Sequence, residues 1–513
     1  MQNLYDLHGL SFGGEAKNVY IQISDCSHCI TMSDDQRAAF SVNDKDFSNE
    51  LKSIRELVNW EVEKERLTFF DRMHFLIRNW KGQLPNLRDI FRTEEIDWLL
   101  TEYQKNKENH YDYGYSFVQF VHATGYKDEP VLDEDGKPIL RRSTTLHYAA
   151  KNRRLRMSID TQKFFQIYDR FDVNYADESG LSHFHVACRF GCDGAVKKFL
   201  EAGQDPNCIW QETGDSPLHL ALAVGQWYDM SEVLLRHGAD PNLANKDGST
   251  PLHVICRMNE FDETEELVDL FFKLIDEIQQ TVQIDARDNL GLTPLQWAVA
   301  SLLPATVDAL LDRGADLSSF VFPTESYFGK IFDPEYNYRA DFTVGSTYDA
   351  LDVVDRLEKR GYEINRSDAI TIMKLFAKYG VFVKPTNLDT SWCDDEKYTV
   401  KVKETMKNFN FSLYLLQLRP KEVGKLITKT NCFDVINNYY WNYHWRISDW
   451  PTEACAAHLA EIIFRRFYQR WALDSLLELT HYQLPILCCE MIIEQLMNTD
   501  FYHICLAAAG QNS

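Results

Sequence analysis

One short phrase recurs five times in the central part of this 513-residue chain. It begins with threonine or serine, has proline second in three copies, an apolar residue third, and histidine fourth in all copies but the last. The copies begin at Thr144, Ser182, Ser216, Thr250 and Thr293. Their fourth residues, at 147, 185, 219, 253 and 296, are separated by 38, 34, 34 and 43 residues. A repeat at a period of roughly 20 to 50 residues is typical of a solenoid, in which each unit buries its apolar face against its neighbours.

The residue types of the phrase predict the start of a helix. A threonine or serine hydroxyl caps the first turn by accepting a backbone N–H, and proline suits the first helical position because no partner for its nitrogen is needed there. The histidine is predicted to bridge polar backbone groups of adjacent repeats, which is a structural role and neither a metal site nor a catalytic one. The signature residues assigned this structural role are Thr144, His147, His185, Ser216, Pro217, His219, Thr250, Pro251, His253, Thr293 and Pro294.

The second half of each unit is also repetitive. A second helix through Val233 to Arg236 ends at Gly238, which tolerates the left-handed conformation of a helix C-terminus, and Asp240-Pro-Asn then turns the chain. Comparable endings occur at Gly203 and Gly314. Two helices and a hairpin at a period near 33 residues make the ankyrin repeat. The sequence therefore predicts an all-α ankyrin-repeat solenoid with helical N-terminal and C-terminal flanks.

Residues 113–320 resemble the ankyrin arrays of insect proteins, especially those of parasitoid wasps. In that resemblance, the segment from Phe117 to Val121 is the second helix of a first repeat, and Asp135-Gly-Lys-Pro138 is its hairpin. The chain departs from the pattern at Thr145 and His183, where proline is expected, and at Gln296, where histidine is expected. These departures predict looser units.

Five segments are expected along the chain. An irregular N-terminal segment (1–50) and a helical lead-in that caps the array (51–112) precede the ankyrin repeats (113–320). A connection containing a degenerate helical repeat (321–400) and a helical C-terminal region (401–513) follow.

The C-terminal segment 471–508 resembles the PRANC domain, a truncated relative of the F-box. Pro485 is suited to a helix start, and the residues that follow keep an apolar face. The resemblance implies docking on the S-phase-kinase-associated adaptor of a cullin–RING ubiquitin ligase. The implied adaptor-binding residues are Leu484, Pro485, Ile492, Leu496 and Asp500. Leu487 departs from the pattern, which usually has glutamate there.

Two interpretations of function follow. In the first, the chain is a substrate receptor whose concave ankyrin face binds a protein target while its C-terminal helices recruit the ligase. In the second, it is an ankyrin scaffold whose C-terminal helices only cap the stack, so the apolar face from Leu484 to Leu496 is buried. Target contacts are expected on the hairpins, at Asp177, Trp210, Asn245 and Asp288. The acidic composition favours a target with a basic or mixed surface.

Charge and composition argue against several other partners. A formal charge of −23 repels nucleic acids and anionic membrane surfaces. Short basic runs such as Arg141-Arg142 are interpreted as solvated helix ends. Neither a signal peptide nor a run of roughly 18 apolar residues is evident. An intracellular location, in the cytoplasm or the nucleus, is expected.

Catalysis is not expected, and neither is a metal or a cofactor. The chain has no phosphate-binding glycine loop, no HExxH and no GxSxG. Its one CxxC motif, Cys26 to Cys29, lacks a second pair at zinc-finger spacing. Cys488 and Cys489 are the nearest candidates for a cysteine-based ligase, and their apolar surroundings predict packed, unreactive thiols.

Overall fold

A computed structural model describes residues 47–78, 80, 82–106, 117–151, 159–223, 228–258, 264–330, 340–378 and 452–510. The chain divides into two compact units, residues 1–85 and 86–513. Most of the predicted irregular N-terminal segment lies outside the described residues.

The first unit contains two packed helices, α1 (Phe47–Glu56) and α2 (Glu63–Arg78). Leu51 of α1 is fully buried, and α2 buries Phe69 and Met73 on its core side. Because α1 begins at Phe47, the predicted boundary at residue 51 falls inside this helix. The role of this unit as a cap on the array stays a prediction.

The second unit is built from pairs of short helices. It opens with α3 (Thr93–Asn106) and α4 (Phe117–Ala123). Five pairs follow: α5 (Thr145–Lys151) and α6 (Ile159–Ile167), α7 (His183–Arg189) and α8 (Asp193–Glu201), α9 (Pro217–Leu222) and α10 (Tyr228–Arg236), α11 (Pro251–Ile255) and α12 (Thr264–Glu277), and α13 (Pro294–Ala300) and α14 (Pro304–Asp312).

Equivalent helices of successive pairs stack against each other. The first helices α5, α7, α9, α11 and α13 form one continuous layer, and the second helices form another. Apart from isolated bridges between hairpin residues, the described ranges contain no strand. The predicted all-α ankyrin solenoid with flanking helices is confirmed.

Further helices continue the stack beyond the array. They are α15 (Ala340–Lys359), α16 (Arg366–Lys378), α17 (Thr452–Leu479), α18 (Ile486–Gln495) and α19 (Asn498–Ala508). α15 packs between α14 and α17, and α17 packs on α19. Residues 379–451, which include the end of the predicted connection and the start of the predicted helical C-terminal region, lie outside the described residues. α17 has 28 residues, yet neither it nor another described helix is long and apolar enough to cross a membrane.

Candidate protein-binding surfaces

The fourth residue of each phrase joins two repeats. The Nδ1 atom of His219 accepts the backbone N–H of Ser216 (3.2 Å), and its Nε2 lies 2.9 Å from the carbonyl oxygen of Ser249. Nδ1 is therefore the acceptor and Nε2–H the donor of a neutral ring. His147, His185 and His253 make the same pair of contacts, with the carbonyl oxygens of Tyr175, Cys208 and Leu292. The histidines thus cap one helix and bind the next repeat.

Gln296 makes the same two contacts without an ionisable ring. Its Oε1 accepts the N–H of Thr293, and its Nε2 donates to the carbonyl oxygen of Val321, each at 2.9 Å. Gln296 is buried, so the looser packing predicted for this unit is not observed. Thr145, in a proline position, uses its hydroxyl to donate to the carbonyl oxygen of Asp97 in α3 (3.2 Å).

Burial keeps these histidines uncharged. It lowers the pKa of His147 to about 4 and that of His185 to about 4. It also lowers the pKa of His219 and His253. A neutral, fully bonded ring between two helices has no open position for a ligand, so these side chains serve the stack.

Arg142 anchors the N-terminal end of the array. Its guanidinium forms ion pairs with Asp97 of α3 and with Asp128, the latter at 3.0 Å. The hydroxyl of Tyr175 donates to the Asp128 carboxylate (2.9 Å), and the hydroxyl of Tyr168 donates to Asp97. The interpretation of Arg142 as a solvated charge is therefore wrong, because its partners lie far away in sequence.

The four predicted target contacts occupy one equivalent position, the first residue of each hairpin turn. The backbone N–H of Asp177, Trp210, Asn245 and Asp288 donates to the carbonyl oxygen that closes the turn, at 2.9 to 3.0 Å. The Oδ1 atoms of Asp177, Asn245 and Asp288 each accept two further backbone N–H groups of the same turn. This side chain therefore sets the shape of the hairpin.

Three of these four side chains are buried. Asp177, Trp210 and Asp288 expose 5%, 7% and 5% of their surfaces. Asp288 accepts from Trp297 Nε1 (2.8 Å) and pairs with Arg257. The structure thus gives these residues internal roles, and their contact with a target stays a prediction.

The turns stack into one continuous row, which we call the hairpin row (residues 133–137, 177–181, 210–215, 245–249 and 288–292). Lys246 N–H donates to the carbonyl oxygen of Thr213 (3.0 Å), and Asn289 N–H donates to that of Asp247 (2.9 Å). Neighbouring turns therefore hold each other in place. The exposed side chains of the middle and C-terminal turns are Glu178, Gln211, Glu212, Lys246, Asp247, Asn289 and Leu290.

Gly214 makes the close approach of two turns possible. Its φ is +76°, and a Cβ there would lie 2.6 Å from the backbone nitrogen of Lys246. Gly203, with φ +88°, would place a Cβ in open space. We expect Gly203→Ala to cost about 1–2 kcal/mol, since only the left-handed backbone is strained. Gly214→Ala should cost at least about 1 kcal/mol more in the free energy of unfolding by urea, because the turns must separate. Equal losses for the two variants would contradict the close packing of the turns.

The second candidate surface lies on α18. Cys489 and Ile493 face α17 and are buried, whereas most of the other apolar side chains are exposed. Leu487 and Met491 each expose 68% of their surfaces. We call the exposed set Tyr482, Leu484, Ile486, Leu487, Met491 and Ile492 the C-terminal apolar patch.

The predicted adaptor-binding residues divide between this patch and the surrounding structure. Leu484, Pro485 and Ile492 are exposed, and Leu496 is half-buried at the end of α18. The Asp500 carboxylate accepts the N–H of Met497 (2.8 Å) and so caps α19. Met491 is a highly exposed apolar residue of α18 that the sequence interpretation omitted, and its position four residues after Leu487 was the available signal.

The two neighbouring cysteines have different environments. Cys489 is buried, as expected for a packed thiol, but Cys488 is exposed. The expectation that both thiols are buried is therefore wrong for Cys488, because α17 covers only one side of α18.

Residues 146–245 and 218–320 match the family model described as ankyrin repeats (3 copies). An ankyrin repeat protein of Rickettsia felis is 37% identical over 119 residues, which are 22% of this chain and 50% of that protein. B-cell lymphoma 3 protein of Homo sapiens is 30% identical over 148 residues, 28% of this chain and 31% of that protein.

Neurogenic locus notch homolog protein 1 of Homo sapiens is 31% identical over 144 residues, 28% of this chain and 5% of that protein. The chain therefore spans no more than half the length of these relatives. No catalytic family is indicated. The chain therefore contains an array of ankyrin repeats over residues 146–320, and such an array is a protein–protein interaction module.

Proposed function

We propose that this protein is a substrate receptor of a cullin–RING ubiquitin ligase. The array binds a protein target, and the C-terminal apolar patch binds the S-phase-kinase-associated adaptor. The observation that carries the proposal is the exposure of Leu487 and Met491 on a helix that is otherwise anchored by Cys489 and Ile493.

The exposed patch favours the receptor over a plain scaffold. A helix that only capped the stack would turn its apolar side chains inward, yet Ile486, Leu487 and Met491 expose 53%, 68% and 68% of their surfaces. Contiguous apolar surface of this kind marks interaction sites in proteins. A helix with an exposed apolar side can dock in an apolar groove of a partner.

Ion pairs connect the array to the helices that carry the patch. Arg356 of α15 pairs with Asp308 of α14. Arg470 of α17 pairs with Glu358 of α15 at 2.9 Å, and Arg366 of α16 pairs with Glu478 of α17 at 2.6 Å. These contacts, together with helix packing, hold the two surfaces in a defined relation. A receptor of this form raises the effective concentration of target lysines near the ligase.

The proposal predicts the effect of charges placed in the patch. We expect Leu487→Asp with Met491→Asp to weaken adaptor binding at least about tenfold, since two carboxylates would enter an apolar interface. Binding of the full chain to immobilised adaptor, measured by surface plasmon resonance, tests this. Leu290→Asp is the matched control, because Leu290 is 61% exposed and lies in the hairpin row.

Circular dichroism of both variants separates loss of binding from loss of structure. Because the substituted side chains are highly exposed, we do not expect either variant to unfold. If the unmodified chain does not bind the adaptor, the ligase part of the proposal is wrong and the scaffold interpretation replaces it. If Leu290→Asp weakens binding equally, the patch is not the adaptor site.

A further inference from the structure

The first hairpin of the array exposes four apolar side chains, whereas each later turn of the hairpin row exposes at most one. Ile139 N–H donates to the carbonyl oxygen of Val131 (2.9 Å), and Asp133 N–H donates to that of Lys137 (2.8 Å). Leu132 and Pro138 form the antiparallel bridge between these two hydrogen bonds. The segment is therefore a short hairpin held by one antiparallel bridge.

One side of this hairpin is bonded to the next repeat. Ala176 N–H donates to the carbonyl oxygen of Leu140 (2.8 Å), and Arg142 N–H donates to that of Ala176 (2.9 Å). On the other side of the hairpin, the carbonyl of Val131 and the N–H of Asp133 point toward the facing segment, 137–139. Since bonding groups alternate along an antiparallel strand, the N–H and C=O of Leu132 point outward. No hydrogen bond to the Leu132 backbone occurs among the described residues.

This outer edge is apolar and can therefore pair with a strand of another chain. Val131, Leu132, Ile139 and Leu140 expose 44%, 56%, 42% and 49% of their surfaces. Proteins usually protect an open strand edge with charges, proline or a covering segment. Here the outer segment instead exposes the neighbouring side chains of Val131 and Leu132, one on each face of the hairpin.

The turn beside this edge is acidic. Asp133, Glu134 and Asp135 are all exposed, and Lys137 is the one basic residue of the turn. The ion pairs found among the described residues do not include these three carboxylates, whereas nearby Glu129 is paired with Arg88. A partner strand would therefore meet negative charge at the end of the edge that leads into the turn.

We propose that the edge strand Val131–Asp133 binds an extended segment of a partner protein as an added β-strand. The segment has apolar residues in alternate positions and lysine or arginine near the turn. Its main chain bonds to Leu132, its apolar side chains contact those of the hairpin, and its cations face Glu134 and Asp135. This inference rests on the proposed target-binding role of the array and names the chemistry of the target, but it does not depend on adaptor binding.

The test uses a fluorescein-labelled peptide of alternating valine and lysine and the full chain, with fluorescence anisotropy as readout. We expect Leu132→Asp with Leu140→Asp to weaken binding at least about tenfold. Glu134→Gln with Asp135→Asn should weaken it several-fold, and added salt should reduce this difference. Leu57→Asp, at a position of the first unit that is 81% exposed and lies outside the array, should leave binding unchanged.

Two control peptides address the mode of binding. A peptide of alternating valine and glutamate should bind at least about tenfold more weakly, since like charges meet at the turn. N-methylation of alternate amides should also reduce binding at least tenfold, because it removes the donors that the Leu132 carbonyl requires. Equal binding of either control peptide, or no binding of the valine–lysine peptide, would overturn the inference. Adaptor binding by the same preparation reports separately on the ligase proposal.

Discussion

Replacing Arg142 with methionine should lower the free energy of unfolding by about 3–5 kcal/mol at neutral pH. The substitution keeps much of the apolar stem but removes the cation that Asp97 and Asp128 share. Burial raises the pKa of both carboxyl groups, so each depends on the guanidinium to remain ionised inside the protein. Breaking a buried ion pair from one side leaves uncompensated charge, which costs more than the pair contributes when it is complete.

The neighbouring Arg141 provides the matched control. Arg141 is exposed, and Arg141→Met should change stability by no more than about 0.5 kcal/mol. Urea unfolding followed by circular dichroism measures both variants. Adding Asp97→Asn and Asp128→Asn to Arg142→Met should restore part of the loss, because the unpaired carboxylates are then gone. Equal stability of the two arginine variants would mean that the ion pairs do not stabilise the array.

Acid should destabilise the array through its buried histidines. Burial lowers the pKa of His147 and His185 to about 4, below the usual value of an exposed histidine, about 6.5. The unfolded chain therefore binds protons at pH values where the folded chain does not. The stability that these rings contribute is complete above about pH 6.5 and is lost as the pH falls toward 4.

The expected loss is large. Between pH 7 and pH 5, each of these two rings should remove about 2 kcal/mol from the free energy of unfolding. A proton on Nδ1 would also repel the backbone N–H from which this atom accepts a hydrogen bond. For His147 this group is the N–H of Thr144, whose nitrogen lies 2.9 Å from Nδ1. The rings of His147 and His183 lie 4.8 Å apart, so protonation of one disfavours protonation of the other.

Gln296 suggests the variant that tests this prediction. Since glutamine makes both contacts there, His185→Gln should keep the contacts with Ser182 and Cys208 while removing the titrating group. Its unfolding free energy should fall by about 2 kcal/mol less than that of the unmodified chain between pH 7 and pH 5. The comparison cancels the titration of all other groups. Identical pH dependence of the two proteins would show that His185 is not the source of acid sensitivity.

The sequence by itself determined the repeat unit. Capping by Ser216 and His219 involves residues only three positions apart, so the phrase could be interpreted without knowledge of the fold. The period then dictated stacking, because a single pair of short helices cannot bury its apolar face alone. The ankyrin solenoid followed from these two local facts.

Only the tertiary structure decided which side chains remain available to a partner. Arg142 became a buried anchor because the chain brings Asp97 and Asp128 to it from 45 and 14 residues away. The apolar pattern of α18 was compatible with either a buried or an exposed face, and in the fold α17 covers only the side that carries Cys489 and Ile493. A sequence pattern specifies which residues avoid water, whereas the exposure of Leu487 depends on how much surface the neighbouring helix can cover.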